Sequence, residues 1–253
     1  MDLQTARRLS DLTTTFYAHV SASFSATRQA PWPGWQRVAE LAWGEEPAAS
    51  GAGTTRRDTG TSSADDTYRV LDLACGNLRF ARFAQRQRAH VRVWAVDNCD
   101  ELAVANSDVC YQHLDLAHTL LGGRDLSQAL AAPPCNLCVC FGFMHHVPLP
   151  QHRVAVLRAL VDHAAPGGLV AVSFWQFERD PRIMAKAEPL ADKGDYLLGW
   201  QGRHDVQRYC HSFDEGEIDE LARAVEPLAH EVERFSADGK SGDLNRYVVL
   251  RRA

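Results

Sequence analysis

The first quarter of the chain has the apolar spacing of an amphipathic helix. Between Thr5 and Thr27, apolar residues recur at steps of three and four positions, the spacing of one helix face. These residues are Leu9, Leu12, Phe16, Val20 and Phe24. Pro31 ends this helix, and Pro33 can begin a second one through Trp43. We therefore expect a helical cap over residues 1–43.

Residues 44–67 have a different composition, small and polar with almost no large apolar side chains. Such a segment cannot compensate its ordering entropy by burial. The pattern predicts a mobile low-complexity loop from 44 to 67, which separates the cap from a core domain over residues 68–253.

From Tyr68 onward, short apolar runs alternate with helical periodicity. The runs predict strands at 68–73, 91–96, 109–114, 136–141, 168–174, 232–235 and 246–250. Helices are predicted at 79–88, 100–107, 151–164 and 215–225. This alternation predicts an α/β fold: a doubly wound, mostly parallel seven-stranded sheet with helices on both faces. Ligands of such sheets bind at the carboxyl ends of the strands.

Composition and charge narrow the class of protein. With 253 residues, 45% of them hydrophobic, the chain can bury a sizeable core. No apolar run approaches the ~20 residues that span a bilayer, and the N-terminus lacks a signal-peptide pattern. We expect no membrane association and a cytoplasmic location. The net charge of −5 argues against a protein that coats nucleic acid, but it leaves room for a local basic face.

The seven cysteines are scattered and odd in number, which is not the pattern of a secreted disulfide framework. Cys135 and Cys138 have the spacing of zinc or redox pairs, but no second pair stands at a matching distance. Because they open an apolar run, we expect them to be buried as small hydrophobic residues. A metal site remains the alternative, and no metal is predicted.

The turn after the first strand has chemistry suited to a ligand that carries an amino acid. Asp72 ends the strand and can receive an ammonium group, while backbone donors at Ala74 and Cys75 can receive a carboxylate. Gly76 supplies the backbone freedom for a close approach. Ala74 and Leu78 occupy positions at which ligand-binding turns of this glycine-rich type usually have a glycine. We therefore expect their side chains to extend into the space of the ligand.

Acids also end the next two strands. Asp97 can accept hydrogen bonds from both hydroxyls of a ribose, and Asp115 can meet an adenine amino group. A helix-capping or loop role is the alternative for Asp97, but three acids at three strand ends favour a ligand. The predicted contact residues beyond the first turn are Asp97, Asn98, Asp115, Leu116, Cys140 and Phe141.

This arrangement resembles the class I S-adenosylmethionine-dependent methyltransferases, over roughly residues 68–177 and the terminal strands. The resemblance implies S-adenosylmethionine as the cofactor. A nicotinamide enzyme fits less well, because its pyrophosphate needs glycines at offsets that this turn lacks. His145 and His146 follow the fourth strand, as in many members of this fold, and could be a base, a hydrogen-bonding clamp or a packing pair.

Segments outside the core carry a finer resemblance. Phe24-Ser-Ala-Thr-Arg28 with Pro31-Trp-Pro33, Phe174-Trp175, the run 194–200 and the run 207–221 are similar to the tRNA wobble-uridine methyltransferases, the family that includes the methyltransferase domain of the AlkB-like tRNA-modifying protein. That family implies methyl transfer to the carboxylate of 5-carboxymethyluridine. It also implies tRNA as a partner and a small zinc-binding activator protein.

The resemblance implies roles for individual residues. A carboxylate is already ionised at neutral pH, so the enzyme mainly aligns it and excludes water. Arg28 and Arg208 would clamp it, and His146 and His211 would hydrogen-bond to the base. The other predicted substrate contacts are Tyr17, Trp32, His145, Trp175, Trp200 and Tyr209. The arginines as surface salt-bridge partners and Trp32 as a packing residue remain alternatives.

Two other functions remain open at this point. A small-molecule carboxyl or O-methyltransferase could share the same carboxylate pocket. The second is a catalytically inactive scaffold or activating subunit. It remains open because Ala74 and Leu78 replace two glycines that the cofactor turn of methyltransferases usually has.

Overall fold

The computed structural model of the chain describes residues 1–44, 67–100, 108–201 and 203–253. The predicted loop at 44–67 and the predicted helix at 100–107 lie almost entirely outside the described residues. The helices are α1 (Leu3–Ala26), α2 (Pro33–Trp43), α3 (Arg79–Gln87), α4 (Leu116–Leu121), α5 (Leu126–Ala129), α6 (Pro150–His163), α7 (Pro181–Met184) and α8 (Glu215–Val225). The strands are β1 (Tyr68–Leu73), β2 (Val91–Asp97), β3 (Val109–His113), β4 (Cys135–Cys140), β5 (Ala164–Trp175), β6 (Ala187–Pro189), β7 (Asp195–Trp200), β8 (Arg203–His211), β9 (Ala229–Ala237) and β10 (Asn245–Arg252).

The main sheet has seven strands in the order β3-β2-β1-β4-β5-β10-β9. Strands β1 to β5 pair in parallel, and β10 pairs antiparallel with both β5 and β9. The predicted Rossmann-like, doubly wound fold is therefore confirmed. The strand order reverses between β1 and β4, and this switch point opens a crevice at the carboxyl ends of the strands.

The core fills both faces of this sheet because successive strand residues point to opposite sides. Leu71 belongs to one apolar cluster, which α4, α6 and α8 cover. Its neighbour Val70 belongs to the other, which α2 and α3 cover. Cys135 and Cys138 are fully buried in the first cluster, and the seven cysteines, all within the described residues, form no disulfide.

The two N-terminal helices contact the core at different places. Helix α1 packs on β8, where the hydroxyl of Thr13 accepts a hydrogen bond from the backbone N–H of Tyr209 at 3.1 Å. Helix α2 packs on β10 through Gly34, at which any side chain would collide with the ring of Tyr247. The backbone N–H of Gly34 also donates to Asp238 at 3.0 Å.

A second, three-stranded antiparallel sheet with the order β6-β7-β8 was not predicted. It is formed by residues 187–211, where the sequence shows motifs but no strand alternation. Its strands depend on pairing with one another and on the packing of β8 against α1. This sheet carries Arg208, Tyr209 and His211, so the missed element bears directly on the candidate site.

No helix among the described residues is both long and apolar enough to cross a membrane.

Candidate active site

A cavity lies at the carboxyl ends of β1, β2 and β3, between these strands and α1. The structure brings much of the predicted set to its wall. The predicted residues that line it are Tyr17, Arg28, Trp32, Asp72, Ala74, Cys75, Gly76, Asp97, Asn98, Asp115, Leu116, Phe141 and His146.

The glycine turn (residues 74–78) connects β1 to α3 with three left-handed residues. Gly76 has φ +51°, and Ala74 and Leu78 keep the same left-handed backbone with φ 59° and 57°. Leu78 does not line the cavity, because its side chain is 1% exposed and packs in the core beside α3. The expectation that Leu78 intrudes on the ligand is wrong, whereas Ala74 does line the cavity.

Asp72 ends β1 with a carboxyl group that is 3% exposed. Its Oδ2 atom has no hydrogen-bond partner, and burial, followed by repulsion from Asp97, raises its pKa to about 7. A Cβ atom built on nearby Gly76 meets no protein atom within 4 Å. An unpaired buried carboxyl beside open space at a glycine fits a ligand that carries an ammonium group on an amino-acid tail.

Asp97 holds the glycine turn in place. Its carboxylate accepts hydrogen bonds from the backbone N–H of Gly76 at 2.8 Å, of Asn98 at 2.9 Å and of Cys99 at 3.1 Å. Burial nevertheless raises its pKa. Asp97 therefore combines the loop role considered as its alternative with a place on the cavity wall.

Asp115 accepts from the side chain of Asn98 at 2.8 Å and from the backbone N–H of His118 at 2.8 Å. Burial acts to raise its pKa, but these hydrogen bonds prevail and lower it. Asp72, Asp97 and Asp115 together form the carboxylate end of the cavity, which suits the positive charge and hydroxyls of S-adenosylmethionine.

Tyr17, Arg28 and His146 form a second group on the cavity wall, named the acceptor end after the role that the sequence predicts for it. The Tyr17 hydroxyl and His146 Nε2 are 2.8 Å apart, and His146 Nδ1 lies 2.7 Å from the backbone oxygen of Tyr209. Because a carbonyl oxygen only accepts, Nδ1 is assigned the hydrogen, and Nε2 accepts from Tyr17. Burial, and then the charge of Arg208, lower the pKa of His146 to about 3, so this histidine is neutral.

Arg28 lies at the acceptor end with its guanidinium against two aromatic rings that also contact each other. Its guanidinium carbon lies 3.8 Å from the ring centre of Phe24 and 4.8 Å from that of Trp200. Burial lowers its pKa to about 10, which leaves it charged at neutral pH. Arg28 has no carboxylate within salt-bridge distance in the described ranges of the chain, which leaves its charge available to a ligand.

Arg208 lies behind the wall and does not line the cavity. It is 6% exposed, its guanidinium is 4.6 Å from the ring centre of Phe16, and its Nε atom has no hydrogen-bond partner. No salt bridge to it occurs within the part of the chain that the structure describes. Its charge acts on the acceptor end through Tyr17 and His146, whose pKa values it lowers. The structure therefore gives Arg208 an electrostatic position and not the contact position of a clamp.

The remaining predicted residues lie outside the cavity lining: Cys140, His145, Trp175, Trp200, Tyr209 and His211. Cys140 is fully buried in β4. His145 packs between His146 and Trp175, with its Nδ1 atom unpartnered. Trp200 donates its indole N–H to Ser23 at 3.1 Å.

Tyr209 and His211 belong to a buried ionic network. His211 contacts Asp195 at 2.6 Å through Nδ1 and Glu217 at 2.9 Å through Nε2. Tyr209 donates to Asp195 at 2.6 Å, and Arg153 donates to Tyr209 at 3.2 Å. Both ring nitrogens of His211 are thus engaged away from the cavity. The positions of its partners give His211 a structural place beneath the acceptor end.

His145, His146 and Cys210 place potential metal-ligating atoms within 4.8 Å of one another. Both nitrogens of His146 already have partners. Burial raises the pKa of Cys210 to about 11, although the nearby charge of Arg208 opposes this. A neutral thiol beside a guanidinium disfavours a bound cation.

The sequence analysis missed several lining residues. Ser10, Thr13 and Thr14 line the cavity from α1, on the same helix face as Tyr17. They stand seven, four and three positions before Tyr17, and this spacing was a usable signal, because it marks one polar strip on the helix. Asn77 and Arg79 also line the cavity, and only their proximity to Gly76 could have indicated this.

The fold and the divided cavity define a class, the S-adenosylmethionine-dependent methyltransferases. The family model described as a methyltransferase domain matches residues 27–226, and the chain belongs to this family. Its enzyme activity is therefore methyl transfer from S-adenosylmethionine.

Two solved structures illustrate the fold. The 1,6-didemethyltoxoflavin-N1-methyltransferase of Burkholderia thailandensis has a TM-score of 0.56 at 16% identity and aligns over 95% of this chain and 90% of its own. CalS10, an amino pentose methyltransferase from Micromonospora echinaspora, has a TM-score of 0.55 at 15% identity, over 92% of this chain and 95% of its own.

One curated relative shares sequence similarity. The tRNA (carboxymethyluridine(34)-5-O)-methyltransferase ALKBH8 of Macaca fascicularis is 23% identical over 168 residues, which cover 65% of this chain and 20% of that protein. This chain therefore spans about a fifth of the length of that relative.

Proposed function

We propose that this methyltransferase esterifies a carboxylate, and that the carboxylate belongs to 5-carboxymethyluridine at the wobble position of tRNA. The observation that carries the proposal is the chemistry of the acceptor end. Arg28 supplies a positive charge there, while His146 is neutral and its Nε2 atom is already engaged by Tyr17. An acceptor that arrives as an anion needs a cation for alignment and no base.

A hydroxyl or amine acceptor fits this end less well. Such a group must lose a proton during methyl transfer, and a base with a pKa near the working pH serves that purpose best. The pKa of His146, about 3, lies far below neutrality, and that of Tyr17, about 12, lies far above it. The three acids of the carboxylate end are committed to the cofactor in this proposal.

Aromatic side chains support a nucleobase as the body of the acceptor. Phe24, Trp32 and Trp35 line the cavity, and partly exposed Trp200 stands beside Arg28. Flat rings near an opening can stack on an unpaired base. The similarity to ALKBH8 supports the wobble nucleoside in particular.

The test is methyl transfer to an anticodon stem-loop that carries 5-carboxymethyluridine, with the ester measured by mass spectrometry. Arg28→Ala should lower kcat/KM for this acceptor at least a hundredfold, because a charged hydrogen-bonding partner is lost. Affinity for S-adenosylhomocysteine should be unchanged. Gln29→Ala is the matched control, since Gln29 is exposed just beyond the end of α1 and its side chain donates to the backbone oxygen of Ser25. Absence of ester with the unaltered protein would refute the tRNA assignment.

A small-molecule carboxyl methyltransferase is the second candidate, favoured by the net charge of −5. In that case free carboxylic acids should be methylated while the stem-loop is not. A cytoplasmic location belongs to the leading proposal, and seven cysteines that form no disulfide with one another are compatible with a reducing compartment. The small zinc-binding activator stays a prediction, tested by adding such a protein to the same assay. Of the two missing glycines that supported a scaffold without catalysis, only Ala74 lines the cavity, while Leu78 lies outside it.

A further inference from the structure

Asn77 links the glycine turn to the C-terminal end of α1. The side chain is nine-tenths buried and lines the cavity. Its Nδ2 atom donates to the hydroxyl of Ser25 and to the backbone oxygen of Arg28, each at 3.1 Å. The residue that follows Gly76 in the turn therefore holds the backbone of Arg28, some fifty positions earlier in the chain.

A second contact runs in the same direction. Arg79, at the start of α3, donates to the backbone oxygen of Ala30 at 3.0 Å, and its guanidinium lies 5.5 Å from the ring centre of Trp32. The backbone oxygens of Arg28 and Ala30 lie beyond the end of α1. The segment that carries Arg28 is thus held to the core by side chains of the glycine turn and of the helix it opens.

We propose that Asn77 is a positioning residue, through which cofactor in the glycine turn orders the Arg28 segment and so raises affinity for the acceptor. A ligand against Gly76 restricts a turn in which three residues have a left-handed backbone. Restricting the turn fixes the amide of Asn77, and the two hydrogen bonds transmit this order to Ser25 and Arg28. Cofactor and acceptor then bind cooperatively, and the effect is the same in either order of binding.

Hydrogen exchange of the whole protein tests the link without any acceptor. S-adenosylhomocysteine should slow amide exchange over residues 23–30 about fivefold or more in the unaltered protein. In Asn77→Ala this protection should disappear while calorimetry still shows binding. Gln29→Ala, at the same helix end but without a contact to the turn, should retain the protection.

Two results would overturn the proposal: protection that survives in Asn77→Ala, or no protection in the unaltered protein at saturating ligand. If Asn77→Ala no longer binds S-adenosylhomocysteine, Ser25→Ala decides the matter. That change removes one of the two acceptors from a residue outside the turn. It should reduce the protection of residues 23–30 at unchanged cofactor affinity, and full protection would refute the link.

The last step of the proposal, in which the ordered Arg28 contacts the acceptor, rests on the proposed function. Its test is the affinity for 5-carboxymethyluridine with and without saturating S-adenosylhomocysteine. Affinity should rise about fivefold with cofactor in the unaltered protein and should not change in Asn77→Ala. If the exchange result holds and the nucleoside never binds, the link stands and the acceptor assignment falls.

Discussion

At the scale of single residues, Asp72 has the clearest physical signature. Burial raises its pKa from 3.8 to about 7, so the folded protein keeps a proton that the unfolded chain releases above about pH 4. The contribution of Asp72 to the free energy of unfolding is therefore fully present below about pH 4, and it is lost as pH rises through about 7. Asp72→Asn should remove this decline. In urea titrations at pH 5 and pH 8, the free energy of unfolding should therefore fall less in this variant than in the unaltered protein.

The same carboxyl group should make cofactor affinity depend on pH. The ionised form attracts an ammonium group, so affinity for S-adenosylhomocysteine should rise between about pH 6 and pH 8, by up to roughly tenfold per unit below the pKa. Calorimetry at fixed ionic strength measures this, and Asp72→Asn should bind more weakly at every pH with a flatter profile. An unchanged profile in that variant would assign the titration to another group.

Ala74 carries backbone strain that a glycine would relieve. Its φ of 59° is left-handed, which costs a side-chain-bearing residue about 1 kcal/mol. Ala74→Gly should therefore leave stability unchanged or raise it by up to about 1 kcal/mol, although glycine gains entropy in the unfolded chain. The matched control is Ala81→Gly, buried in α3, which should destabilise by about 1 kcal/mol or more in the same denaturant titration. Equal losses in both variants would contradict strain at Ala74.

At the scale of elements, the three-stranded sheet β6-β7-β8 depends on a network around His211 and Asp195. No local sequence pattern predicted this network. His211 contacts two carboxylates, and although burial lowers its pKa, these carboxylates prevail and raise it. The stabilisation is therefore present below the unfolded pKa of about 6.5 and is lost as pH rises through the folded value. His211→Ala should cost about 3 kcal/mol or more, because Asp195 stays buried without this partner.

Thermal unfolding at pH 6 and pH 9 measures the effect, and the difference between His211→Ala and the unaltered protein should shrink at the higher pH. Lys193→Ala is the control, since the Lys193–Asp214 pair is exposed and screened by solvent, so its loss should change stability little. A cost equal to that of the control would show that the network is weak.

Elements with strong periodicity were predictable, and those without it were not. Strands β1, β2 and β4 and helices α3 and α8 follow from apolar patterns that each segment carries alone. Strand β5 is longer than its predicted range because it begins at Ala164, where it pairs with Cys135. Residues 187–211 become strands only by pairing with one another, and a single sequence does not show which segments will pair.

At the scale of the whole molecule, the cavity has a carboxylate end and an acceptor end. At the acceptor end His146 is neutral, its pKa is about 3 and its Nε2 atom already accepts from Tyr17, so it is a poor base. At saturating cofactor and acceptor, kcat should be nearly constant from about pH 6 to pH 9, because a carboxylate acceptor is ionised throughout. Stopped assays with the stem-loop over this range measure it. A rise in kcat with a midpoint near 6.5 would show that a histidine acts as a base and would favour a hydroxyl acceptor.

The sequence by itself determined the fold class, and it indicated the glycine turn and the three acids that line the cavity, because each follows from a local pattern: an apolar strand, a glycine and an acid at the strand's end. Only the tertiary structure decided the acceptor end. Tyr17 and His146 meet across 129 positions and Asn77 and Arg28 across 49. A histidine can face the cavity, like His146, or contact two carboxylates, like His211, and its neighbours in space decide which. Those neighbours come from α1, β7, β8 and α8, which are distant in sequence and brought together by burial of apolar surface.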